Sequence, residues 1–219
     1  MIDERRRTAQ DDVLDALRAD ILTGALRPGD QVVQEALAER YGVSRVPQRE
    51  ALKSLEAEGQ VVYYPHRGYF VADLSVADLV EVYRLRALLE AEAIRAAVPT
   101  LTDADVDAIG LLLDEVDDAG RRGDLVALTA ANRRFHFAIF DAAGMPRLTR
   151  LLRQLWEATD AYRALYFHGA ANRERVAAEH GRMLAALRRR DAEKVVRLHD
   201  EHRDHSVAAV AAALDASAP

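Results

Sequence analysis

Six of the seven histidines fall in the second half of the chain: His136, His168, His180, His199, His202 and His205. Neutral imidazole is a common ligand for borderline divalent cations, so their spacing matters more than their number. Asn132 and His136 are four residues apart, which on a helix stacks them on one face. His180 lies eleven residues before Asp191 and His202 eleven after it. If Asp191 turns an antiparallel helical hairpin, both stand about 16 Å along the axis from the turn and face each other at equal height. Asn132, His136, His180 and His202 can then converge inside a bundle as one oxygen and three nitrogen ligands, a set suited to Zn²⁺ or to another divalent ion such as Ni²⁺. The plainer alternative is a group of surface or hydrogen-bonded histidines. His199, one turn nearer the loop, and His205, one turn further away, match the level less well and are expected on the solvent side; His168 has no assignment.

A second kind of chemistry, anion recognition, is concentrated in Tyr41 to Leu55, YGVSRVPQREALKSL. Gly42 permits a sharp turn, and Ser44 is a natural N-cap for a helix that starts at about Arg45. On a 3.6-residue wheel Gln48, Ala51, Leu52 and Leu55 share one flank, while Arg45, Val46, Arg49 and Lys53 share the other. One flank packs and the other is basic and exposed. Two short helices joined by a tight turn, with arginines near the start of the second, form the helix-turn-helix arrangement whose recognition helix enters the major groove of DNA.

The elements needed to position these groups can be read around them. Apolar periodicity predicts a first helix over 8–23 with Gly24 as its stop, a turn at Leu26 to Asp30, and a second helix over 34–41. The recognition helix ends near Gly59. Val61 to Tyr64 and Tyr69 to Val71 read as two strands around Pro65-His66-Arg67-Gly68, a hairpin with a basic tip. From Val76 onward the pattern is helical, with helices expected over 76–97, 103–119, 124–142, 146–168, 171–190 and 192–215. The fold class is therefore mainly α. Residues 1–75 form a winged helix-turn-helix of three helices plus a β-hairpin wing, and residues 76–219 an all-α antiparallel bundle.

Composition narrows the function. The formal net charge is −6, and residues 1–75 hold ten Lys and Arg against thirteen Asp and Glu, so DNA contact must come from a local patch, not from a basic coat. No cysteine is present, which excludes disulfides and thiolate metal sites. No apolar run approaches the roughly 20 residues that span a bilayer, and no hydrophobic signal core stands at the N-terminus. A cytoplasmic location with no membrane partner is expected.

The run GALRPGDQVVQEALAERYGVSRVPQREALKSLEAEG, followed by HRGYFV, resembles the winged-helix domain of GntR-type bacterial transcription regulators. The helical remainder is similar to the FCD effector domain of their FadR-like branch. The resemblance implies a homodimer whose recognition helices enter successive major grooves of a short palindromic operator. By position it implies that Ser44, Arg45, Val46 and Arg49 face double-stranded DNA, with His66 and Gly68 in the wing; Lys53 and Arg67 join them on charge. Val46 stands where threonine is usual, and Gln48 where an aliphatic residue is usual, so its amide needs a partner or solvent.

For the helical half, the resemblance supports the metal set, with Asn132 in place of an aspartate and hence a weaker oxygen ligand. It also implies that Arg86, on the first helix of that half, clamps the carboxylate of a small organic acid, the effector. The competing expectation for Arg86 is a surface pair with Glu90 at i+4. Effector binding is expected to change operator affinity, and relief of repression is the expected direction. Two rivals stay open: a metal-dependent hydrolase using the histidines, which lacks an obvious general base because Glu179 points about 100° away from His180, and a dimeric DNA-binding structural protein with no ligand.

Overall fold

The computed structural model describes residues 8–217. By internal contacts the chain divides into two compact units, 1–73 and 74–219.

The first unit contains α1 (Ala9–Thr23), β1 (Gln31–Val32), α2 (Gln34–Tyr41), α3 (Arg45–Ala57), β2 (Val61–Tyr64) and β3 (Gly68–Val71). Thr8 opens α1 with a reciprocal capping box to Asp11, and Gly24 closes it in the left-handed conformation. Val13, Leu17, Ala51, Leu52 and Leu55 are buried together between α1 and α3. Asp20 is buried on α1 and accepts from Arg40 at 2.6 and 3.0 Å and from the Tyr41 hydroxyl at 2.9 Å, which ties α1 to α2.

The wing is a three-stranded antiparallel sheet in the order β1-β3-β2, not the two-stranded hairpin expected. Gln31 pairs with Phe70 and Val32 with Tyr69. The extra strand is two residues long and follows Pro28-Gly29, too short to leave an alternating pattern in the sequence.

The second unit is α4 (Val76–Ala97), α5 (Asp103–Arg122), α6 (Leu125–Asp141), α7 (Pro146–Ala158), α8 (Asp160–His168), α9 (Ala170–Arg188) and α10 (Ala192–Ser217). Its helices pack around Leu79, Ile94, Phe135, Phe140, Leu152 and Trp156, each at most 1% exposed. The Asp191 carboxylate accepts from the Lys194 N–H at 2.9 Å where the α9–α10 hairpin turns.

One expected helix, 146–168, is two. It breaks at Thr159, whose backbone has φ −101° and ψ 8°. The Thr159 hydroxyl is wholly buried, donates to Trp156 O at 3.0 Å and accepts from Arg163 Nη2 at 3.0 Å and Arg86 Nη1 at 3.3 Å. A hydroxyl that competes for a helical carbonyl loosens the ladder, and two buried guanidiniums hold it there.

Candidate functional site

The exposed basic flank of α3 is built as a recognition surface is. Its packed flank buries Gln48, Ala51, Leu52 and Leu55, which leaves Arg45, Val46, Arg49 and Lys53 outward, with Val46 62% exposed. Glu50 sits among them, 3.1 Å from Lys53 Nζ and 3.7 Å from Arg49 Nε, a pairing weak enough in water for phosphate to replace it. Ser44 occupies the N-cap position, but its hydroxyl caps no backbone N–H, contrary to expectation. That leaves the exposed Ser44 hydroxyl free of a capping duty. The Gln48 amide is buried, and its Nε2 donates to Val43 O at 3.1 Å.

At the wing tip His66 has φ 63° and Gly68 φ 89°. The Arg67 guanidinium carbon lies 5.8 Å from the Tyr64 ring and 5.1 Å from the Phe70 ring, while Gln31 Nε2 donates to Arg67 O at 2.7 Å. Two aromatic faces and a side-chain bond to its own carbonyl hold this arginine at an exposed tip.

In the second unit the structure brings His136 (α6), His180 (α9) and His202 (α10) together, with one ring nitrogen of each within 4.8 Å of the others. His136 Nε2 and His180 Nε2 are 3.1 Å apart, a span compatible with two nitrogens each about 2.0–2.1 Å from one cation. His202 Nδ1 lies 2.6 Å from Glu179 Oε2. A carboxylate there keeps the proton on Nδ1 and turns the Nε2 lone pair to the other histidines, as in carboxylate–histidine–metal arrangements. Asn132 is 2% exposed, one turn before His136, and its Oδ1 has no partner. Three imidazoles and an unpartnered amide oxygen are a donor set that fits a divalent ion.

His199 corrects the expectation of a solvent-side residue. It is 1% exposed, with its ring 5.0 Å from that of His136. His205 is half-exposed, as expected of the solvent side, yet bonds Glu179 Oε1 through Nδ1 at 2.6 Å. His168 is exposed at the end of α8. Glu179, weighed in the sequence only as a general base beside His180, instead meets α10. Its two oxygens are taken by His202 and His205.

Beside the histidines, Arg86 lies buried on α4, not at the surface, and it does pair with Glu90, Nε to Oε1 at 2.9 Å. Glu90 also accepts from Trp156 Nε1 at 2.8 Å and from Arg203. The guanidinium carbons of Arg86 and Arg163 lie 4.2 and 4.5 Å from the Trp156 ring. Arg86, Asn132, Trp156, Arg163, His202 and Arg203 line a cavity of about 20 Å³, room for about one water molecule. Wider grooves elsewhere, such as one of about 340 Å³ along Asp117, Arg121 and Arg173, contain none of these groups.

Burial and neighbouring imidazoles hold His136 and His180 well below the ordinary histidine value, so both are neutral and able to ligate. Burial also lowers His199, against the pull of Glu90. For Glu90 burial acts upward, but Arg86, Arg203 and His199 together hold it well below the usual carboxylate range. Glu179 is likewise pushed up by burial and brought down overall by His202 and His205.

A winged helix whose third helix has an exposed basic flank, followed by a helical domain with a buried cluster of arginines and histidines, is the architecture of a two-domain transcriptional regulator. Residues 9–71 match the family of bacterial regulatory proteins named gntR, and residues 81–205 match the FCD domain. The chain belongs to the GntR family and carries an FCD domain. It is 34% identical over 140 residues to the HTH-type transcriptional regulator McbR of Escherichia coli K12, a stretch covering 64% of this chain and 63% of McbR, just under two thirds of that protein. It is 31% identical over 201 residues to the uncharacterized HTH-type transcriptional regulator BphR of Paraburkholderia xenovorans, covering 89% of this chain and 82% of BphR. Among solved structures, E. coli McbR/YncC superposes with a TM-score of 0.83 at 27% identity, covering 95% of this chain and 100% of that one. A GntR regulator from Rhodococcus sp. RHA1, at 22% identity and a TM-score of 0.79 over 93% of this chain and 98% of its own, shares the fold. The relatives are transcription regulators, not enzymes, and no helix among the described residues is long and apolar enough to cross a membrane.

Proposed function

We propose that the protein is a homodimeric repressor of a palindromic operator, released from DNA by a small organic acid bound at a metal-containing site in the helical unit. The observation that carries this is the trio of buried His136 and His180 with partly buried His202, with Glu179 orienting His202, next to an arginine-lined cavity. Asn132, His136, His180 and His202 would hold the ion, Zn²⁺ by preference and Ni²⁺ as the alternative. Bound there, the ion supplies a fixed positive charge for a carboxylate. Arg86 would clamp the same carboxylate from α4. On DNA, Ser44, Arg45, Val46, Arg49 and Lys53 would meet the major groove and His66, Arg67 and Gly68 the flanking backbone or minor groove, Arg45 and Arg49 dividing between base edges and phosphates. Repression is supported by a likeness to the HTH-type transcriptional repressor GlaR of E. coli K12, 30% identical over 155 residues, 68% of this chain and 70% of GlaR.

A physical route for coupling follows from the size of the cavity. Even a small acid exceeds one water's volume, and a wall that gives way at Arg163, Tyr166 and Phe167 would displace α8, which carries all three. On α8 the Tyr162 hydroxyl is 3.0 Å from Ser75 N, 3.1 Å from Ser75 O and 2.8 Å from the Asp78 carboxylate. A shift of α8 thus pulls on the residues that start α4, where the chain enters from the winged helix. Typical coupling of ~1–3 kcal/mol would change operator affinity by about 5- to 150-fold. The test is fluorescence anisotropy on promoter DNA with a panel of carboxylic acids, with and without chelator. Weakened DNA binding by at least one acid, abolished by chelator, is expected. Thermal stabilisation by acids with no change in DNA affinity rejects the coupling.

A further inference from the structure

One buried histidine has no part in the scheme above. His199 stands on α10, one turn before His202, its ring 5.0 Å from His136 and inclined at 79° to it. Its Nδ1 lies 3.8 Å from Glu90 Oε2. Its Nε2 is buried without a partner, and so is Nδ1 of His136.

The tautomers connect these atoms. A histidine that gives its Nε2 lone pair to a cation carries its proton on Nδ1, and that buried N–H requires an acceptor. His202 has one in Glu179. His136 has no partner at Nδ1. Two neighbouring ring nitrogens are also unpartnered, His180 Nδ1 and His199 Nε2; His180, itself a ligand through Nε2, carries its own proton on Nδ1 and cannot accept there, which leaves His199 Nε2. With its proton on Nδ1 facing Glu90, His199 presents a lone pair at Nε2 and can accept.

Resting on the metal reading, we infer that His199 is a positioning residue: it takes the Nδ1–H of His136 and passes its own Nδ1–H to Glu90, forming a carboxylate–imidazole–imidazole relay that fixes the tautomer and orientation of His136. His199 Nδ1 stands 3.8 Å from Glu90 Oε2, longer than a direct hydrogen bond, and the His136 and His199 rings, 5.0 Å apart, must turn to make both bonds when the cation is held. Because Glu90 is also the acceptor for Arg86 and Arg203, the relay makes the arginine-lined cavity and the histidine trio one hydrogen-bonded unit.

The test is Co²⁺ binding to the full chain in competition with a chromophoric chelator, for the wild type, His199→Leu and His199→Gln. His199→Leu should weaken Co²⁺ binding about 10- to 100-fold, the usual effect of losing an outer partner of a ligand. His199→Gln, whose side-chain oxygen can accept, should recover most of it. In the Co²⁺-loaded protein the exchangeable N–H proton of His136 should be protected in the wild type and lost to rapid exchange in His199→Leu. A role in packing alone would move the melting temperature of the metal-free protein and neither readout. Equal Co²⁺ affinity in all three proteins overturns the relay and leaves the trio standing. A wild type that takes up no Co²⁺, like a His202→Ala control, overturns the trio and the relay together.

Discussion

The two polar surfaces of this protein are built on opposite terms. On α3 Arg45, Arg49 and Lys53 stand exposed on the flank of an amphipathic helix, with Glu50 of the same helix beside Arg49 and Lys53. In the helical unit Arg86, Arg163 and Arg203 are each no more than 5% exposed in their side chains, and each is held by at least one acidic group. The exposed charges can change without disturbing the fold and act on a partner; the buried ones act on one another first, so any ligand must rearrange an existing set of pairs.

The sharpest way to break this contrast is at Glu90. Glu90→Ala leaves Arg86 and Arg203 buried without their shared partner, and should cost about 3–5 kcal/mol of stability in denaturant unfolding of the full chain. A cost near zero would mean that solvent reaches the pair and that the site is not the closed unit described. Arg49→Ala should do the reverse, losing about 1–3 kcal/mol of operator affinity if it reads a guanine edge, with stability unchanged within about 0.5 kcal/mol. If Arg49 instead contacts phosphate, the loss is uniform across DNA sequences and the salt dependence of binding becomes shallower.

Acid sharpens the same comparison. His136, His180 and His199 all titrate below the ordinary value of 6.5 in the folded chain. The unfolded chain therefore binds more protons, and stability rises with pH through the window below 6.5. Metal-free protein should be fully stable above that window and lose stability as pH falls through it, by at most about 1.4 kcal/mol per pH unit for each histidine. Melting temperatures between pH 7 and 5 check this, and a flat profile would mean that the imidazoles are hydrated. The smallest effect belongs to the surface: Arg95 and Glu193 pair at 2.7 Å with both side chains about half exposed, and Arg95→Ala should leave the melting curve where it was.

Much of this was legible because it depends on one helix or one turn. The two flanks of α3 follow from its own periodicity, and the level of His180 and His202 follows from counting to Asp191. What stayed hidden needs a third element. His199 misses the level of the hairpin pair, yet α6 brings His136 to it and α4 brings Glu90, neither of which is visible from α9 and α10 alone. The break at Thr159 carries no glycine or proline; it answers to Arg86, seventy-three residues away. Arg86 left two readings open, surface pair or cavity residue, and the structure contains the pair with Glu90 inside the cavity wall.

Trp156 is the chain's single tryptophan, and it lies against Arg86, Arg163 and the His136 ring, the last at 4.9 Å. Indole emission is sensitive to cations and imidazoles at such range, so the protein carries its own optical probe inside the cavity. Emission intensity followed during a titration would report occupancy of the helical unit without a label, and without DNA present.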